Sequence, residues 1–196
     1  MKDSPSEIRS DTRTFEVLPV RAGPRPSTTS TNPHMQLNQQ PEVSLSNKLL
    51  EIVRQWPGIV FAPSRRAPIN TVGIYLVADH AKGPPEAFML ATEFAHVHPA
   101  PDFSLHLTLP EPVRSEAIAA GWAEPHPLAG EPTVSKLIVM LFAPRDANEL
   151  TVITRLVEAS WAYAKEGSVK ANMSSQSARD KQAAPSYVQH LSTVQP

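Results

Sequence analysis

Residues 92–109 read Thr92-Glu93-Phe94-Ala95-His96-Val97-His98-Pro99-Ala100-Pro101-Asp102-Phe103-Ser104-Leu105-His106-Leu107-Thr108-Leu109. Thr92 to His98 and Phe103 to Leu109 are two β-type runs, and the Pro-Ala-Pro-Asp link between them is a hairpin signal. In a strand, residues two apart share a face. His96 and His98 therefore point the same way, together with Phe94, while Glu93 alternates to the opposite face. In the second run His106 shares a face with Ser104 and Thr108, opposite Phe103, Leu105, Leu107 and Leu109.

Register decides whether the histidines meet. A regular four-residue turn pairs His98 with Phe103 and His96 with Leu105, which sends His106 to the other face. One bulged residue in or near the turn sets His106 opposite His96 instead. Two prolines disfavour a regular ladder there, and both registers stay open at this point.

Outward from the hairpin the pattern is globular. Ser44 or Ser46 can cap a helix with Leu45, Leu49, Ile52, Val53 and Trp56 on one face, stopped by Pro57-Gly58. Gly58 to Ala62 and Thr71 to Ala78 read as strands. After the hairpin a helix runs from about Glu111 to Ala120, with Gly121 as its stop. Ala123 to Ser135 reads as a proline-broken loop, and Lys136 to Ala143 as an apolar strand. Asp146 caps a long helix, with Glu149 completing a capping box and Gly167 ending it. The fold class is α+β: a small antiparallel or mixed sheet of about five strands packed with about three helices, in the order α-β-β-β-β-α-β-α.

This places one α+β domain at 43–167. Residues 1–42 are rich in Ser, Thr, Pro and Asn and read as an extended, mostly disordered arm, in which Leu18-Pro19-Val20-Arg21 can dock. Residues 168–196 are polar and without period and read as a disordered tail.

Bulk properties narrow the function. The 18 Lys and Arg nearly balance the 19 Asp and Glu. There is no broad basic field for a phosphate backbone, so nucleic acid is not an expected partner. Cysteine is absent, which removes disulfides, thiolate metal sites and a cysteine nucleophile. The longest apolar run, Leu137 to Ala143, is far short of the roughly 18 residues of a membrane helix. The expectation is a cytoplasmic protein with no membrane anchor in this chain.

Four of the seven histidines, His96, His98, His106 and His126, fall within one window. His126 lies between two prolines, where a stiff backbone can aim it into a cleft. Three readings compete. The histidines can be satisfied core residues. They can be metal ligands, with His96, His98 and His106 holding a divalent metal as H-x-H imidazoles do. Or one can act as a general base while others orient substrate, since an imidazole titrates near neutral pH. Arg145, at the end of the apolar strand, can hold an enolate or pair with Asp146 or Glu149. Trp122 can stack on an aromatic ligand or anchor the core.

The pieces Glu93–His98, Ser104–Leu107, Gly121–Gly130, Phe142–Asp146 with Glu149, and Leu156–Ser160 resemble the luciferase of fungal bioluminescence in order and spacing. Leu18–Arg21 and Arg25-Pro26 are similar to the segment upstream of that domain, so the resemblance spans roughly 18–165. It implies an oxygenase without a cofactor, in which dioxygen is the co-substrate. In that family 3-hydroxyhispidin, an electron-rich α-pyrone, gives a peroxide that loses carbon dioxide and leaves a light-emitting product. On this expectation the partner is a small aromatic or pyrone substrate. His96 or His98 is the base, His106 and His126 orient the substrate, and Arg145 holds the anion. Phe94 and Trp122 wall the pocket, and Glu93 and Ser104 complete the substrate contacts. The alternatives are a metal-dependent enzyme on the same histidines and a non-catalytic module that binds a small molecule or a partner.

Overall fold

The computed structural model describes residues 17–167. The expected tail at 168–196, and the arm before residue 17, lie outside them. Three helices, α1 (Val43–Arg54), α2 (Val113–Ala119) and α3 (Ala147–Glu166), accompany six strands. These are β1 (Ile59–Pro63), β2 (Val72–Leu76), β3 (Glu93–Val97), β4 (Leu105–Thr108), β5 (Ala123–Pro125) and β6 (Ile138–Leu141). They form one antiparallel sheet in the order β1-β2-β3-β4-β6-β5. The extra strand, β5, is the start of the stretch read as a loop. Its three residues are too few to show a period of two, and pairing with β6 defines it.

One face of the sheet packs on the helices. Ala95, Val97, Leu105, Leu107, Val139 and Leu141 join Ile153, Leu156 and Val157 of α3 in the core. Leu156 is fully buried, so Leu156→Ala costs about 2–5 kcal/mol. Helix α3 starts at Asp146, whose carboxylate accepts from the amides of Asn148 (2.8 Å) and Glu149 (2.9 Å). It ends at Gly167, where φ is 70°, a left-handed residue that Gly adopts without penalty. The capping box is only half made, because Glu149 turns to Arg145 and Arg21 instead. Helix α1 begins one residue before Ser44, with Glu42 at its N-cap and no side-chain cap. Among the described residues no helix is long and apolar enough to cross a membrane.

Two irregularities set the other face. The hairpin turn is closed by the His98 amide on the Ser104 carbonyl (2.9 Å), so Phe103 joins the turn as a fifth residue, at φ 55°. That residue puts His96 opposite His106. The second is a bulge in β3, where Ile74 pairs with Ala95 but Tyr75 pairs with Glu93. Phe94 is the unpaired residue between them. It drops into the core, and Glu93 rotates onto the same face as His96. The expectation that Phe94 shares the histidine face, and that Glu93 opposes it, is corrected by this bulge.

From residue 17 to 42 the arm lies against the domain rather than away from it. The Leu18 side chain is buried, and its amide donates to Glu116 (2.5 Å). The Pro19 carbonyl accepts from the Trp122 indole (2.6 Å), and the Arg21 amide donates to Ala120 (2.9 Å). Further on, Thr28 and Gln36 bridge, so the chain doubles back and carries His34 to the sheet. Gln36 then fixes it. Its amide donates to Asp102 (3.1 Å), and its side-chain oxygen accepts from Ala143 (2.9 Å). Polar composition made this segment read as mobile, yet each of these bonds uses a backbone or amide group that composition does not reveal.

Candidate active site

A row of residues crosses the sheet on the face away from the helices: Gly73, His96, His106, Met140 and Glu124, each paired with the next. Glycine at one end makes way for the Tyr75 ring, two histidines and a methionine fill the middle, and glutamate stands at the other end. His98 follows from the end of β3, and His126 from the loop after β5. His34 arrives on the arm. Its ring stacks on His106 (centroids 5.4 Å) and meets His126 edge-on (5.3 Å). His106 is the hub, with His98 at 4.7 Å, His126 at 4.6 Å and His96 at 5.1 Å. All five rings are buried.

Three of these imidazoles are tied to carboxylates. His96 Nδ1 meets Glu93 Oε1 at 2.9 Å, His98 Nδ1 meets Asp102 Oδ2 at 2.5 Å, and His34 Nε2 meets Glu124 Oε1 at 2.7 Å. The network assigns the ring protons. A carboxylate only accepts, so Glu93 and Asp102 hold the proton on Nδ1 of His96 and His98. Nε2 of both then carries a lone pair. His96 Nε2 lies 3.1 Å from His106 Nδ1 and must accept from it, which leaves His106 Nε2 bare. By the same logic Glu124 holds the proton of His34 on Nε2 and leaves Nδ1 bare. His98 Nε2, His106 Nε2 and His34 Nδ1 are all buried without a hydrogen-bond partner. His126 is the opposite case. Its Nδ1 accepts from the Leu128 amide (3.1 Å), so its Nε2 carries the proton.

Electrostatics favour the neutral form of His34, His96, His106 and His126. Burial, then the other imidazoles, pushes His34 and His126 down to about 4. His106 lies well below the ordinary range for the same reasons, and burial lowers His96 against the pull of Glu93. For Glu93, burial pushes upward, but bonds from His96, Ser64 (2.7 Å) and Tyr75 (2.8 Å) outweigh it, and the carboxyl sits below its usual range. Asp102 is likewise lowered, with bonds from His98 and Ser104 overcoming burial. Tyr75 is pushed up to about 12 by burial and by its bond to Glu93.

The histidines floor a cavity of about 230 Å³. Met89, Ile138, Leu128 and Val134 give it apolar walls, and Arg66 stands among its lining with Nη1 bound to the Thr133 carbonyl (2.9 Å). This volume is below the roughly 300–1,000 Å³ of pockets that enclose drug-sized ligands. A drug-sized ligand would not be fully enclosed.

The structure brings together His96, His98, His106 and His126 of the sequence-derived set. Ser104 joins behind them, its hydroxyl 3.3 Å from His98 Nδ1. Glu93 lies beneath His96 rather than at the cavity. Three residues go elsewhere. Phe94 is core, for the reason given above. Trp122 is core too, with its indole spent on Pro19. Arg145 is clamped by Glu149 (Nε to Oε1 2.8 Å, with a second contact through Nη2) and by the Ala22 carbonyl (2.6 Å). Its ion pair with the first turn of α3 is satisfied locally, and Arg66 is the guanidinium that lines the cavity. Sequence reasoning missed His34 and Arg66. The one signal for His34 is that it follows a proline, as His126 does.

Residues 91–160 match the family model for the luciferase domain. The chain is 31% identical to a luciferase of Armillaria ostoyae over 161 residues, which is 74% of this chain and 60% of that relative. It is 30% identical to one of Armillaria gallica and 29% identical to one of Neonothopanus nambi, with the same coverage. The chain thus spans about 60% of the length of the curated relatives it matches. No solved structure matches. Residues 91–160, which hold four of the five clustered histidines, thus resemble a luciferase domain, and the chain is similar to the fungal luciferases over most of its length.

Proposed function

We propose that this chain is a luciferase-type oxygenase that needs no cofactor, acting on an electron-rich α-pyrone or related enol. The observation that carries this reading is His98, which lines a small cavity, is backed by a carboxylate and holds a buried Nε2 with no hydrogen-bond partner. Closed-shell molecules react slowly with dioxygen, and an enolate reacts faster because it gives up electrons readily. The first task is therefore to remove a proton.

His98 takes the enol proton at Nε2, and Asp102 fixes the ring and stabilises the imidazolium that forms. The Arg66 guanidinium and the Nε2–H of His126 hold the enolate charge. Dioxygen accepts the electron pair as a C–O bond forms, and the imidazolium returns its proton to the peroxide. The apolar walls keep water from the product, which then loses carbon dioxide. Whether that last step emits light does not alter the roles of these residues.

Oxygen uptake with hydroxylated α-pyrones tests the proposal. His98→Ala is expected to lower turnover about 10²–10⁴-fold, the usual contribution of a positioned base. Equal uptake by wild type and His98→Ala removes the base from the mechanism. Tight binding of the pyrone without turnover by wild type would favour a non-catalytic binding module.

A further inference from the structure

We propose that His96, His98 and His106 form a site for one divalent transition-metal ion of the zinc class, and that the ion and the base exclude one another. The binding half stands on geometry alone. The blocking half rests on the reading of His98 as the base.

The three rings offer ligand atoms that all lie within 4.8 Å of one another. Nitrogens held 2.0–2.1 Å from a tetrahedral ion sit about 3.3 Å apart. His96 Nε2 and His106 Nδ1 are 3.1 Å apart, so the ion fits where they now share a proton. That proton passes to the other nitrogen of His106 when the ion enters. His98 Nε2 is buried, bare and edge-on to the same hub.

The surroundings match a metal site as well as the ligands do. Ligating imidazoles usually give their second N–H to a carboxylate, which fixes the ring and raises its basicity. Glu93 does this for His96, and Asp102 for His98. Imidazole donors select zinc, copper, nickel or iron over magnesium or calcium. The other trio, His34, His106 and His126, is less apt, because His126 spends Nδ1 on Leu128 and keeps its proton on Nε2. An ion on His98 Nε2 occupies the lone pair that removes the substrate proton.

The test uses the full chain, stripped with chelator and dialysed against Zn²⁺ or Co²⁺. One equivalent is expected to bind, and Co²⁺ should show the visible bands of a nitrogen-ligated tetrahedral ion in the wild type itself. His98→Asn and His106→Asn should abolish binding, Asp102→Asn should weaken it about 10–100-fold, and His80→Asn should leave it unchanged. Less than one equivalent bound at micromolar Zn²⁺ overturns the site, as does binding that survives both histidine variants. Oxygen uptake by the stripped protein should fall on adding Zn²⁺ and return with chelator. Zinc that raises uptake overturns the exclusion. No uptake by the stripped protein at all, with zinc bound normally, sinks the proposed oxygenation and leaves the metal site standing.

Discussion

Glu149→Gln changes one charge outside the cavity lining and tests how the arm is held. The Glu149 carboxylate joins Arg21 (3.2 Å), Arg145 Nε (2.8 Å) and the Arg145 amide (2.9 Å). The two cations differ in setting. The Arg145 side chain is 30% exposed, and its pair contributes at most about 1 kcal/mol. The Arg21 side chain is 3% exposed, packed near the Trp122 and Phe142 rings, and burial already lowers its pKa. Glutamine leaves that guanidinium buried beside the like charge of Arg145, with only the weaker pull of Asp146 to offset it. Breaking a buried pair in this way costs about 3–5 kcal/mol. For a domain of this size that is on the order of 10 °C in Tm. Thermal unfolding followed by circular dichroism measures it. Adding Arg21→Met should recover much of the loss, since an apolar side chain needs no partner. A drop under about 2 °C for Glu149→Gln alone would refute the claim that Arg21 depends on this carboxylate.

Other outcomes follow from the same structure. His34 and His126 titrate near 4 in the fold against about 6.5 unfolded. A depressed histidine contributes stability that is present above the unfolded value and is lost as pH falls toward the folded one. Denaturant titrations in chelator should therefore show stability declining from about pH 6.5 to 4, by up to about 3 kcal/mol for each ring; a flat profile would contradict their burial as neutral groups. His34→Ala should reduce oxygen uptake by about one order of magnitude through lost positioning, with Tm as the folding control. Gly83→Ala should destabilise by about 1–3 kcal/mol, because the added Cβ would lie 2.3 Å from the Tyr163 carbonyl, and chemical denaturation checks it.

The sequence was legible where period and punctuation agree. The apolar stripe from Leu150 to Ala164, with Asp146 before it and Gly167 after, specifies α3 almost to the residue. Alternation named both hairpin strands, and four of the five clustered histidines stood in the right window. Single-residue irregularities hid the rest. The bulge at Phe94 exchanges the faces of Phe94 and Glu93, and nothing in Thr92-Glu93-Phe94-Ala95 marks it. Phe103 at positive φ chose the register, a conformation that its side chain gives no reason to expect. For Arg145 and Trp122 the sequence leaves the ligand and the structural readings both open, because their partners, Glu149 aside, lie on the arm more than a hundred residues away.

The distance between those partners also bears on how the chain matures. Gln36 waits for Ala143, 107 positions later, and Arg21 for Glu149, 128 positions later. During synthesis the arm can reach Asp102, Glu116 and Ala120 early, but these two ties wait until Ala143 and α3 have left the ribosome. The Gln36 amide can meet Asp102 earlier, and its side-chain bond to Ala143 then completes the docking of the arm that carries the fifth imidazole. An incomplete nascent chain can pair its strands, but the arm that carries His34 is not yet fixed at both ends.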